Sequence, residues 1–298
     1  MSSAHDWAAL LRVTALFSVP GDALAGAAAG GRPGARTALA AGASLCLYEA
    51  GMALNDWADR AEDAAERPHR PLPSGRIVPA QALAAAAGLT AAGLGLASVA
   101  GRPAALVAAA LAGTVWAYDL RLKHTVAGPA AMAAARGLDL LLGAAASASP
   151  QTGGSPAAVG RALLPAAALG AHTYAVTAVS RTETRGGTPG RPLAALGTSV
   201  ALGALAGAGP LRDGIRSPRG LARIALAGTY VATSARPLLH AALNPSPPLT
   251  QRAVSGGIHA MIPLQAALAA RSGTVAPAVL LTGLLPLARR LARKVSPT

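Results

Sequence analysis

Long apolar blocks alternate with short polar ones along the whole chain. Blocks of about 17–25 residues fall near 8–29, 36–54, 80–100, 103–118, 127–148, 157–179, 191–209, 219–243 and 275–291. A helix needs about 20 apolar residues to cross a bilayer core. A further block, 250–271, carries Gln251, Arg252, His259 and Gln265. It reads as a tenth span or as an interfacial or pore-lining helix. Glycine and proline mark the breaks, as at Gly30-Gly31, Gly101 to Pro103, Pro150 to Pro156, Gly209-Pro210 and Asn244-Pro245. Proline removes a backbone donor and glycine tolerates positive φ, so these clusters read as turns. The pattern predicts one all-α domain over 1–298. It is a polytopic transmembrane helical bundle of about nine spans (eight to ten), with no soluble module attached.

Composition agrees with that pattern. Of the 298 residues, 52% are hydrophobic and only 13% charged, where a soluble domain carries roughly 25% charged. Runs such as Ala84 to Ala87 fit close helix packing by small residues. The net charge of +14 is read as basic residues at cytoplasmic loops and lipid headgroups, with no nucleic acid as partner. With the amino terminus in the cytoplasm, loops after the second, fourth and sixth blocks hold Arg60, Arg67, Arg70, Arg76, Arg121, Lys123, Arg181, Arg185 and Arg191. The opposite loops over the same stretch hold Arg32, Arg36, Arg102 and Arg161. Nine against four favours this orientation. It implies an integral protein of the cytoplasmic (inner) membrane with its polar site facing the cytoplasm. Arg212, Arg216, Arg219 and Arg223 run against it, and the basic tail from Arg289 to Lys294 lies inside only if block 250–271 also spans. The single cysteine, Cys46, sits in an apolar block and is read as a buried small hydrophobe. No cleavable signal peptide is expected, because MSSAHDW lacks a basic n-region.

Three polar stretches interrupt the apolar pattern, all on the cytoplasmic side of this topology. The first reads NDWADRAEDAAERPHRPLPSGR, residues 55–76. Spacings of three and four put Asp56, Asp59 and Asp63 within about 60° of one another on a helix, with Asn55 and Glu62 beside that face. Three like charges on one face repel unless something positive lies between them. A hard divalent cation supplies that charge, and Mg²⁺ takes one or two carboxylates plus substrate phosphate oxygens. Arg67, Arg70 and Arg76 follow, stiffened by Pro68, Pro71 and Pro73. Arginine pairs bidentately with phosphate, so acids followed by arginines suit a Mg²⁺–diphosphate site. The second stretch is Tyr118-Asp119-Leu120-Arg121-Leu122-Lys123-His124. There Arg121 and Lys123 serve either as phosphate contacts or as headgroup anchors, and His124 is read as a headgroup-level residue. The third, Ser180 to Gly187, has Glu183 as its single acid. Glu183 is the candidate for a second metal or for pairing with Arg181. Within the fifth block, Arg136 and Asp139 lie one turn apart and are read as a neutralising salt bridge.

At NDxxDxxxD, filled by Asn55, Asp56, Asp59 and Asp63, the chain resembles the UbiA superfamily of intramembrane prenyltransferases. The following RPHRPLPSG resembles that family's arginine and proline continuation, and the motif follows the second apolar block, as in the family. The Tyr118 to Lys123 stretch is similar to the family's loop after the fourth span, where a lysine contacts diphosphate. Within the superfamily it looks closest to the bacterial EboC-like branch. The resemblance implies a UbiA-like bundle and a Mg²⁺-dependent prenyltransferase acting on a prenyl diphosphate and a lipophilic, electron-rich acceptor in membrane lipid. It implies Asp56, Asp59, Asp63 and Lys123 as catalytic residues. Asn55, Arg67, Arg70, Tyr118, Arg121 and Arg181 are implied to bind substrate; aromatic side chains that could shield the allylic cation are few (one Phe, four Tyr, three Trp), and Tyr174, near the end of the sixth block, is the one named for it. Asp56, Asp59, Asp63 and Glu183 are implied as metal ligands. One departure stands out: the family's second aspartate motif, at the end of the sixth span, reads HTYAVTAVSRTETRGG here, with Glu183 and no aspartate.

Two other classes compete. A CDP-alcohol phosphatidyltransferase also places acids at a span end, but the Asp-Gly and Ala-Arg pairs it needs are absent around Asp56 to Asp63. A non-catalytic lipid-binding, carrier or partner protein that kept only the first motif is the third reading.

Overall fold

Prolines set most of the helix starts. Pro20, Pro79, Pro103, Pro129, Pro218 and Pro248 each sit in a first turn, where the missing N–H costs nothing and the fixed φ is already helical. The computed structural model describes residues 3–12, 18–148, 154–183, 186–209 and 217–273, with Ala278 and Gly283. Among these residues there is no strand. The elements are α1 (Ala4–Leu10), α2 (Val19–Gly30), α3 (Ala35–Ala58), α4 (Arg60–Glu66), α5 (Pro79–Ala100) and α6 (Arg102–Ala117). A π-helical turn over Tyr118–Leu122 follows, then α7 (Gly128–Ala146), α8 (Gly154–Ser180), α9 (Gly190–Gly207), α10 (Pro218–Leu243) and α11 (Pro247–Arg271). Gly101 alone joins α5 to α6 at φ 141°, a backbone geometry open to glycine and few other residues.

Among the described residues, five helices are long and apolar enough to cross a membrane: α3, α5, α6 continued to Leu122, residues 156–180 of α8, and α11. Block 250–271 therefore forms most of one 25-residue helix, and its Gln265 is fully buried. The first apolar block departs from expectation. Instead of one helix over 8–29, α1 ends at Leu10, Arg12 adopts φ 49°, and α2 starts at Val19. Block 275–291 lies almost wholly outside the described residues.

The bundle is held by small residues. α3 packs along α5, α2 and α8 along α7, and α11 along α10. Its two largest buried clusters are dominated by alanine. Between helices in lipid there is little hydrophobic driving force, so close van der Waals approach has to hold the packing. The α2–α7 crossing shows how close that is. A Cβ at Gly26 would sit 1.8 Å from the Leu140 carbonyl oxygen, and one at Gly143 would sit 2.0 Å from that of Ala23. A separate cluster of Leu10, Leu54, Leu72 and Ile77 pins α1 and the 67–78 loop to the end of α3. That anchoring brings the loop's arginines back over the aspartates.

Candidate active site

The helical phase of the three aspartates survives a break between α3 and α4. The Asp59 N–H donates to the Asn55 carbonyl at 2.9 Å, and the Asp63 N–H to the Asp59 carbonyl at 2.8 Å. Asp56 and Asp63 are buried. The positive charge between them comes from the chain itself. Arg70 Nη1 lies 2.7 Å from Asp63 Oδ2 and 3.5 Å from Asp56 Oδ1. Arg12 Nη2 reaches Asp56 Oδ1 at 3.0 Å, and Arg67 lies 3.6 Å from Asp63. Asp59 pairs with the mostly buried Lys123, with His124 Nε2 at 3.7 Å. Carboxylates and basic side chains therefore interleave, in line with the spacing of the sequence. Arg12 was not legible as a site residue, since it sits alone inside an apolar block.

An elongated cavity opens beside this cluster, with about 880 Å³ of free space that is partly open to the outside. Its outer end carries Asn55, Arg12, Tyr118 and Asp119. Asn55 Nδ2 donates to Asp119 Oδ1 at 3.0 Å, tying α3 to the π turn. Such turns often mark functional positions. Leu47, Met52, Leu111, Val115 and Met132 line an apolar waist, and Ser44, Tyr48, Arg136 and Asp139 form the inner end.

The inner end corrects the expected Arg136–Asp139 pair. Arg136 Nε lies 3.1 Å from Asp22 Oδ2 on α2, while Asp139 Oδ2 accepts from Ser44 at 2.7 Å. The close α2–α7 crossing brings Asp22 within reach of Arg136 and so overrides the partner one turn away. Gln265 Nε2 donates to Asp22 Oδ1 at 2.6 Å and to the Ser18 carbonyl at 2.8 Å.

Other expected site residues stand apart. Tyr174 is 47% exposed and absent from the cavity lining. Arg121 is exposed, and Arg181 donates to the Thr125 carbonyl. Glu183 is half-buried at the end of α8; burial pushes its carboxyl above the usual range, while nearby Arg67 pulls it down. Arg185 lies outside the described residues. Among the described residues, one group of ligand atoms comes together closely enough for a metal ion. Asp59, Glu62 and His124 bring one atom each within 4.8 Å of one another. Glu183 is not in that group, and His124, expected at headgroup level, is.

An all-helical membrane bundle with interleaved acids and arginines at one end of an apolar cavity defines an integral membrane protein built around a polar head site. The sequence pattern of the UbiA prenyltransferase family matches residues 14–212, and the chain belongs to that family. The digeranylgeranylglyceryl phosphate synthase of Methanopyrus kandleri (strain AV19) is 37% identical over 113 residues, 38% of this chain and 40% of that protein. The match thus spans about two-fifths of that relative's length. A UbiA homologue from Aeropyrum pernix K1 superposes with TM-score 0.67 at 19% identity, over 85% of this chain and 96% of that one. A structure from work on digeranylgeranylglyceryl phosphate synthase in membranes gives TM-score 0.61 at 18% identity, over 90% and 97%. At those identities the likeness is one of fold.

Proposed function

We propose that the chain transfers a prenyl group from a prenyl diphosphate to a lipophilic, electron-rich acceptor, with Mg²⁺, at the cytoplasmic face of the inner membrane. The supporting observation is the placement of NDxxDxxxD: three acids in one helical phase, interleaved with Arg12, Arg67, Arg70 and Lys123, beside an apolar cavity. The donor set suits a hard divalent cation. Asp59 and Glu62 would hold it with His124 close by, Asp56 and Asp63 being engaged by arginine. Glu183 is the remaining carboxylate for a second cation, although it is not a member of that group. Bound there, the cation supplies positive charge against the leaving diphosphate.

The chain's own residues carry the other roles. Arg67, Arg70 and Lys123 contact the diphosphate, and as the allylic C–O bond breaks its electron pair leaves with that oxygen. Asn55 and Tyr118 bound the space where the allylic carbon meets the acceptor. The acceptor carbon forms the new C–C bond and then loses its proton. The apolar waist and the surrounding lipid keep the polyisoprenoid out of water. Asp56→Ala and Asp59→Ala, assayed in nanodiscs, should each lower Mg²⁺-dependent diphosphate release about 100-fold or more. Unchanged release in both variants would overturn the proposal.

One observation favours a second reading, a non-catalytic prenyl-lipid binder or carrier: each aspartate of the motif already has a basic partner. Tight geranyl diphosphate binding without turnover across an acceptor panel would select it.

A further inference from the structure

One step of the proposed reaction has no residue of its own: the acceptor carbon loses a proton after the new C–C bond forms. The cavity narrows the choice of base. Leu111, Val115 and Asp119 follow one another at spacings of four, so on a helix they share a face. The first two line the apolar waist, and the third ends that stripe at the outer mouth with a carboxylate. Asp119 is only 5% exposed, and ionisable residues at membrane depth are kept for function.

The other acids are spent or misplaced. Asp56, Asp59 and Asp63 each pair with arginine or lysine, and none of them lines the cavity. Asp139 does line it, but at the inner end beside Ser44. Ser44 is eleven residues from Asn55, or about 16 Å of helix. Asp119 has no ion pair among the described residues. Its Oδ1 accepts from Asn55 Nδ2 at 3.0 Å, which fixes the carboxyl group, and its Oδ2 accepts no hydrogen bond from them. That second oxygen is turned to Gly51, another cavity residue, where a Cβ would lie 4.0 Å from it. With hydrogen in place of a side chain, Gly51 leaves the oxygen open.

The departing diphosphate is the competing base, and its surroundings weaken it. Arg67, Arg70 and Lys123 stand against the oxygens on which its charge develops. An anion held by cations loses much of its affinity for a proton, whereas the Asp119 carboxylate is held by one neutral amide.

We infer that Asp119 is the proton acceptor of the transfer, its Oδ2 taking the hydrogen that the alkylated carbon sheds. The C–H bond breaks, its electron pair returns to the acceptor's π system, and the proton forms the O–H bond of a neutral carboxyl. This rests on the prenyl-transfer reading and gives a residue to the step which that reading leaves open.

Geranyl diphosphate without any acceptor tests the base. Held in the cavity, the allylic cation either loses a C–H proton to a base, giving terpene hydrocarbons, or takes up water, giving terpene alcohols. The full chain in nanodiscs with Mg²⁺ should yield both by gas chromatography. Asp119→Asn should lower the hydrocarbon-to-alcohol ratio about tenfold or more, with geranyl diphosphate affinity by equilibrium dialysis within about threefold of the parent chain. Asparagine at 119 can still accept from Asn55, so a purely structural role would leave the ratio where it was. Asp119→Glu, which returns a carboxylate, should restore most of the hydrocarbon. An unchanged ratio in Asp119→Asn overturns the inference and makes the diphosphate the base. Alcohols alone from the parent chain overturn it too, as does a ratio that falls equally in Asp119→Asn and Asp119→Glu. Failure of the prenyl-transfer reading looks different: the parent chain releases no diphosphate, with or without an acceptor, and the inference falls with it.

Discussion

The two charged clusters of this bundle balance their charges in opposite ways. At the end of α3, Asp56, Asp59 and Asp63 meet four basic side chains, Arg12, Arg67, Arg70 and Lys123. Inside the bundle Asp22 and Asp139 meet Arg136 alone. The outer set has basic groups to spare for an anion arriving from water. The inner set has one guanidinium for two carboxyls, with Ser44 donating to Asp139 and Gln265 to Asp22 from within the bundle. The first arrangement suits a phosphate head, and the second ties α2, α3, α7 and α11 together from within.

The contrast is broken most severely at Arg136. Removing one partner of a buried charged set leaves the others uncompensated, at about 3–5 kcal/mol. Arg136→Leu should therefore lower the detergent melting temperature far more than Arg67→Leu, whose partner lies at the polar end. The α2–α7 crossing comes next. Gly26→Ala forces a methyl into the Leu140 carbonyl, and overpacking of this kind costs about 1–3 kcal/mol. The melt should fall without any change at the outer aspartates. Arg70→Ala tests the outer set: loss of a charge-assisted contact worth about 1.5–3 kcal/mol should weaken geranyl diphosphate binding by roughly 10–100-fold. A smaller effect is expected at Asp6, whose carboxyl is held below its ordinary value by hydrogen bonds from Ser3 and by Arg76 at 2.8 Å. A carboxyl with a lowered pKa stabilises the fold above its unfolded value and loses that stabilisation as pH falls through the folded one. Amide exchange in α1 should therefore quicken below about pH 4 in the parent chain, and Asp6→Asn should remove most of that pH dependence.

Much of this was legible in the sequence where the signal was local. Apolar block length and the Pro and Gly marks give the helices, and the spacing of Asp56, Asp59 and Asp63 gives their shared phase. What was missed depended on contacts between helices distant in sequence. Arg12 sits within the apolar block that breaks between Leu10 and Val19, and nothing nearby announces its reach to Asp56, 44 residues on. Sequence spacing matches Arg136 to the acid on its own helix, because helical phase is all that one segment reveals. The true partner, Asp22, arrives through a crossing set by Gly26 and Gly143. The scarcity of aromatics singles out Tyr174, but scarcity carries no information about which face of α8 it occupies.

The alanine-dominated packing also reverses the usual rule for substitutions in a protein interior. In a core of leucines, truncation is the damaging change, because it opens a hole of several carbon atoms. Here most buried side chains have only one carbon to lose, while backbone carbonyls stand within 2.0 Å of where a glycine's Cβ would be at Gly26 and Gly143. Tolerance is therefore lopsided: the interior yields readily to smaller residues and resists larger ones. Variation among close relatives should drift toward glycine and serine at the crossings, with added bulk confined to positions that face lipid.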